Sequence, residues 1–331
     1  EPGADPRSAA AVAGVSPRYV YTAAVVGFAA TLNAGQLAAL RGNPAVEYVE
    51  QDQAAEAAIT QNGAPWNLAR IDPSIGSGTY SYSTTASGVY AYIIDTGISM
   101  SHPGFGGRAG PGYDAFGGNG QDCNGHGTHV AGIVGSTQYG VAKGVRLRSV
   151  RVLDCAGSGT VAGIVAGVDW VRVNRVNPAV ANLSLTAPYS ATLNTAVNNL
   201  SNSGVFVSVA AGNQNANACN YSPASAASAL TLAASDSLDA RAPYSNHGSC
   251  VDLYAPGSDV TSTWLNGGTR TLSGTSQAAP HAAGVAALYK ATFGNASSAT
   301  ITSWIKTNAL ANVITGNPAG TPNLLLQKGT L

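Results

Sequence analysis

After residue 58 the chain repeats one alternation: a short run rich in apolar residues, then a stretch with helical spacing. The runs are VYAYIID (Val89–Asp95), LRSVRVL (Leu147–Leu153), AVANLSL (Ala179–Leu185) and GVFVSVAA (Gly204–Ala211). HGTHVAGIVGS, TVAGIVAGVDWVRVN (Thr160–Asn174), ATLNTAVNNLSNS and SQAAPHAAGVAALYKAT (Ser276–Thr292) read as helices. A strand as continuously apolar as VYAYIID needs cover on both faces, and helices between the strands supply it. The expected fold is α/β, a doubly wound, mostly parallel sheet with helices on both faces. Sites in such sheets form beyond the carboxyl ends of the strands. Asp95 and Asn213 both stand just past such ends.

The first 58 residues follow another pattern. Strand-like YVYTAAVV (Tyr19–Val26) and GFAATL (Gly27–Leu32) precede a helical AGQLAALRGNP (Ala34–Pro44), which Gly42 and Pro44 end. VEYVEQ (Val46–Gln51) reads as a further strand, and Ala9–Gly14 as a short first helix. This predicts a small α+β unit with a marginal core, joined through QDQAAEAA to a large domain spanning 59–331.

Composition narrows the function. A chain of 331 residues, 45% hydrophobic, can bury a large core and is no candidate for wholesale disorder. Only 10% of residues are charged, 16 basic against 16 acidic, so the chain offers no field for nucleic acid or an anionic membrane. No run of about 18 uncharged apolar residues suggests a spanning helix. The chain opens EPGADP with no basic and apolar leader, so any signal peptide is expected to have been removed. None of the four cysteines sits in a CxxC pair, which argues against zinc. Three pairings are open to them. The neighbouring one, Cys123–Cys155 with Cys219–Cys250, closes two loops of similar length, each contributing about 3–4 kcal/mol by loop entropy. We expect these bridges in an oxidising compartment; four unpaired core thiols are the other reading.

Three local patterns carry chemistry. IIDTGI puts Asp95 where a strand opens into a glycine turn. NGHGTHVAG puts His126 at a helix start, and SGTSQAAPHAAG does the same for Ser276. An acid, an imidazole and a hydroxyl at element ends can form a nucleophilic relay. Taken singly, a strand-end acid, a helix-start histidine and an N-cap serine are ordinary structural residues; it is their co-occurrence that points to catalysis. His129 lies one turn beyond His126, but metalloprotease pairs are spaced i, i+4 around a Glu, so His129 reads as a packed helix residue. His102, His247 and His281 read as structural. No G-x-S-x-G elbow precedes a helix, which argues against an α/β-hydrolase esterase.

These motifs, in the order Asp, His, Ser, resemble the subtilases, nearest to their proteinase K and aqualysin-like branch. The shared stretches include APWNLARID, GGNGQDCNGHGTHVAG, VRVLDC, VAAGN, NACNYSPAS, YSNHGSCVDLYAPG and TPNLLL. GFAATL and VEYVEQD resemble the family's inhibitor prosegment, ferredoxin-like and expected to be truncated, with its first strand missing or unrecognisable. The resemblance implies a secreted, monomeric serine endopeptidase of broad specificity, made as an autoprocessed zymogen. Its substrates are proteins and peptides, and its own residues 1–58 inhibit it. The implied triad is Asp95, His126 and Ser276, with Asn213 donating to the oxyanion beside the Ser276 backbone N–H. Substrate backbone would pair along Asn182–Leu185 and Ala210–Gly212, which assigns Ser184, Leu185, Thr186, Ala210, Ala211 and Gly212 to binding. A structural calcium is implied at the carbonyls of Ala227 and Ala229 with the carboxylate of Asp252, and no catalytic metal. A second site near Asp72 looks eroded by Ala69 and Pro73. The tail Gln53–Ala58 would lie product-like in the cleft, with processing after Ala58.

The chain departs from the family in two places. Ser184-Leu185 continues as Thr186-Ala187-Pro188 instead of a glycine run, so we expect a narrower primary pocket that prefers small residues. Gln277 follows the serine where Met is usual, which predicts tolerance of peroxide at that position. The altered segment also leaves open a catalytically silent protein that keeps the fold and binds without turnover.

Overall fold

In the computed structural model, which describes residues 5–23, 25–51, 59–73 and 78–331, the run VYAYIID becomes the strand Tyr90–Asp95 in the middle of a nine-stranded sheet. On one side of it lie Arg146–Arg151 and then Ala109–Asp114. On the other follow Ala179–Leu183, Phe206–Ala210, Leu230–Ser235, Leu253–Pro256, Leu324–Leu325 and Leu310–Ala311. Every pair is parallel except the last, where Leu310–Ala311 runs against Leu324–Leu325. Strand order therefore reverses beside Tyr90–Asp95, and a crevice opens at its carboxyl end.

Alternate residues of each strand feed two cores. Ala91, Ile93, Leu147, Val180 and Phe206 face one, which also takes the buried side of the helix Thr275–Phe293. Tyr92, Ile94, Val150, Ala181 and Val207 face the other, covered by the helices Val161–Asn174 and Ala191–Asn202. Period-two alternation with apolar residues on both sides is what a doubly covered parallel strand requires. Cys123 is bridged to Cys155 and Cys219 to Cys250, and no cysteine is free. No helix among the described residues is long and apolar enough to cross a membrane.

The chain divides into two compact units, Glu1–Ala57 and Ala58–Leu331. In the smaller, the strands Tyr19–Tyr21 and Gly27–Ala29 pair antiparallel. The helix Ala34–Arg41 starts at a reciprocal capping box between Asn33 and Gln36. The first helix is Pro6–Val12, several residues ahead of the expected Ala9–Gly14, because Asp5 caps it and Pro6 occupies its first position. Ala10, Val15 and Leu40 form a small core. Of YVYTAAVV, Tyr19–Tyr21 forms a strand, and Ala24 lies outside the described residues. The expected strand Val46–Gln51 is absent: Val46 and Val49, three apart, pack on the core, so the segment lacks the period of a strand and has no ladder. The expected cleft-bound tail Gln53–Ala58 and most of its link lie outside the described residues.

Candidate active site

Four segments meet at the carboxyl end of the sheet. Asp95 ends its strand fully buried. Its Oδ1 accepts from the Thr96 N–H at 2.7 Å and lies 2.8 Å from His126 Nδ1. That contact fixes the imidazole tautomer, with the proton on Nδ1 and an open lone pair on Nε2. Burial disfavours the charged imidazole, but the charge and hydrogen bond of Asp95, aided by Asp122, outweigh it and raise the His126 pKa above the ordinary 6.5.

The turn into His126 is held by a residue that sequence reading missed. Asp122 Oδ1 accepts from the backbone N–H groups of Asn124 and Gly125, each at 2.9 Å, and from Thr96 Oγ1 at 3.0 Å. Its Oδ2 accepts from the Thr128 N–H and hydroxyl. Gly125 has φ 108°, and a Cβ there would lie 2.4 Å from the Trp264 ring, so only glycine fits between indole and helix start. Next in line, His129 is fully buried; its Nε2 faces the carbonyls of Val260 and Arg270, and burial pushes its pKa down to about 4. That is a packing role, as its spacing suggested.

Ser276 is the second residue of the helix Thr275–Phe293. Pro280 lies four residues on and cannot donate to the Ser276 carbonyl. The hydroxyl of Ser184 donates there instead, at 2.7 Å, while the Ser276 hydroxyl donates to the Ser184 carbonyl at 3.1 Å. Among the described residues Ser276 and His126 share no hydrogen bond. Asn213 is exposed, and its Oδ1 accepts from both the N–H and the hydroxyl of Thr275 at 2.8 Å. The same hydroxyl accepts from the Gly212 N–H at 3.0 Å. With its oxygen engaged, Asn213 directs Nδ2 towards the hollow over Gly274. Thr275, which fixes this geometry, was not singled out from sequence.

The flanking strands carry the remaining expected residues. Ser184, Leu185, Ala210, Ala211 and Gly212 are buried and Thr186 is half-buried. Ala187–Pro188 forms a two-residue ladder with Tyr221–Ser222, which fixes the segment that replaces the glycine run.

Asp252 is differently occupied. Its Oδ1 lies 2.5 Å from Lys306 Nζ, and its Oδ2 accepts from the Thr231 N–H at 2.8 Å. Ala227 is exposed and Ala229 buried. The carboxylate implied for calcium is thus already paired with an ammonium, and the set does not fit a calcium ion unless Lys306 moves away. No group of three or more His, Cys, Asp or Glu able to hold a metal occurs among the described residues. At Asp72, Oδ2 accepts from the Ser81 N–H at 2.5 Å and lies 3.9 Å from Lys328 Nζ.

Comparison with known proteins gives this geometry its context. Residues 86–328 match the Subtilase family, and residues 6–58 match Peptidase inhibitor I9. An extracellular serine proteinase of Thermus sp. (strain Rt41A) is 50% identical over 313 residues, covering 93% of this chain and 76% of that protein. Alkaline serine exoprotease A of Vibrio alginolyticus is 46% identical over 317 residues, 93% of this chain but only 59% of the relative. The crystal structure of a cold adapted subtilisin-like serine proteinase superposes with TM-score 0.78 at 46% identity, over 82% of this chain and 99% of that one. The chain belongs to the subtilase family of serine peptidases and carries an inhibitor-type segment ahead of its peptidase domain.

Proposed function

We propose that this chain is a secreted endopeptidase that cleaves peptide bonds through Asp95, His126 and Ser276. The observation that carries the reading is the 2.8 Å contact of His126 Nδ1 with a fully buried carboxylate, beside a serine at a helix start. Asp95 orients the ring and stabilises it when charged. A rotation of the Ser276 hydroxyl away from the Ser184 carbonyl gives its proton to Nε2 as the oxygen attacks the substrate carbonyl; apo geometry in such sites is often looser than in the complex. The imidazolium then protonates the leaving amine. The Ser276 N–H and Asn213 Nδ2 stabilise the oxyanion, each worth about 3–4 kcal/mol of barrier. Extended substrate backbone pairs along Asn182–Leu185 and Ala210–Gly212, so specificity comes from side-chain pockets.

In this reading residues 1–58 are the inhibitor segment, residues 59–331 the peptidase, and cleavage follows Ala58. The mature protein acts as a monomer outside the cell. N-terminal sequencing should find a start near Ile59, and a start many residues away would reject that processing site. Calcium at Ala227, Ala229 and Asp252 is no part of this reading, because Lys306 already holds the carboxylate.

One observation favours a second reading. Ser276 donates to Ser184 and not to His126, as in a silent protein that binds without turnover. A fluorophosphonate probe with intact-mass detection separates the two. The peptidase gains one adduct at Ser276 in material free of residues 1–58, and Ser276→Ala gains none. Folded wild-type protein that stays unlabelled is the silent binder.

A further inference from the structure

The hollow over Gly274 has a third polar neighbour besides the two oxyanion donors. A methyl group placed on Gly274 would lie 3.3 Å from Asn213 Nδ2 and 3.6 Å from the Ser276 N, and 2.9 Å from Gln277 Oε1. Gln277 is 2% exposed, and its Nε2 is buried without a hydrogen-bond partner. Its Oε1 also has no hydrogen bond among the described residues, whereas its backbone carbonyl accepts from His281 Nδ1 at 2.9 Å. A buried N–H donor without a partner is a costly arrangement to keep.

Its orientation is also the wrong one for catalysis, because a carbonyl oxygen aimed at a developing oxyanion repels it. A half-turn about the last torsion of Gln277 exchanges the ends of the amide, which differ little in shape. The turn brings Nε2–H to the hollow, where a developing oxyanion is the acceptor that this donor lacks. We propose that Gln277 is a catalytic residue whose side-chain amide turns to give the oxyanion a third hydrogen bond. The inference rests on the peptidase reading above. No bond is made or broken by Gln277; it donates one N–H and takes no proton. Because the bond exists only once negative charge develops, its benefit falls on kcat and not on KM.

The test uses the mature enzyme with Gln277→Met and Gln277→Glu. For a peptide anilide, each variant should lose about tenfold in kcat with KM within twofold of wild type, a smaller loss than for a primary oxyanion donor. A peptide trifluoromethyl ketone, which forms a tetrahedral oxyanion on Ser276, should bind about tenfold more weakly to Gln277→Met. The corresponding product peptide should bind both proteins alike. In a cycle with Asn213→Ala the two losses should couple, because both donors address one oxygen. In labelled wild-type enzyme the Gln277 side-chain amide proton should move downfield when the ketone binds. Kcat and ketone affinity within twofold of wild type in folded Gln277→Met, with an unmoved amide signal, would overturn the proposal. If Gln277→Met does not fold, Gln277→Glu and the amide signal decide. A wild-type protein that neither takes the ketone nor labels with fluorophosphonate would instead overturn the peptidase reading.

Discussion

Asp95 gives one oxygen to the imidazole of His126 from a fully buried position, and the pH response of the enzyme follows from that pair. In the proposed relay only neutral His126 can take the serine proton, so activity should fall as pH drops through its raised pKa. The acid limb of kcat/KM is expected above 6.5, the ordinary histidine value. Asp95→Asn should move the limb down and lower kcat about 10⁴-fold. A wild-type limb at or below 6.5 would contradict the pairing. At this scale the sequence is legible where a residue sits in a distinctive local string, as Asp95, His126, Ser276 and Asn213 do. Asp122 and Thr275 were not legible. Their partners are mostly backbone N–H groups of a turn and a side-chain amide 62 residues away, and no local spacing records such contacts.

Among the elements, the helix Thr275–Phe293 shows what position alone can do. Pro280 withholds a donor from the Ser276 carbonyl, and Ser184 on the neighbouring strand end provides one. The helices and central strands were readable because their apolar periods are strong. Val46–Gln51 was misread because three valines and tyrosines in six residues mimic a strand that finds no partner strand among the described residues. The segment Thr186-Ala187-Pro188 is held by its ladder with Tyr221–Ser222, so the proposed pocket wall is fixed where glycines would leave it adaptable. A peptide-library profile should favour small residues before the scissile bond; one dominated by Phe or Tyr would refute the narrow pocket. At the helix Ser298–Asn308, Lys306 supplies the positive charge that Asp252 faces. Chelation should therefore shift the melting temperatures of wild type and Asp252→Asn alike. Lys306→Met should lower stability by roughly 0–1 kcal/mol, as for other partly exposed pairs, and make it calcium-dependent. A wild-type melting temperature that falls on chelation, and does not fall in Asp252→Asn, would reverse this conclusion.

The whole molecule is sensitive to acid through two histidines that are not in the relay. His129 and His281 are both fully buried, and burial pushes each pKa down to about 4. The unfolded chain takes up their protons near 6.5, the folded one only near 4, so stability is full above 6.5 and drains as pH falls towards 4. By about pH 5 each should cost the fold about 2 kcal/mol. Chemical denaturation at neutral and mildly acidic pH measures this, and a denaturation midpoint independent of pH in that window would exclude it. The central strands Ala179–Leu183 and Phe206–Ala210 add nothing to this response, since every residue in them is buried and none titrates. One covalent tie joins these levels. Cys123–Cys155 links the loop leading into His126 to the loop after the strand Arg146–Arg151, at the rim of the crevice and outside the hydrophobic layers. Thiol reductants would accordingly remove one of the ties, besides Asp122, that seat the imidazole. The redox character of the surroundings thus bears on the site itself as well as on the fold.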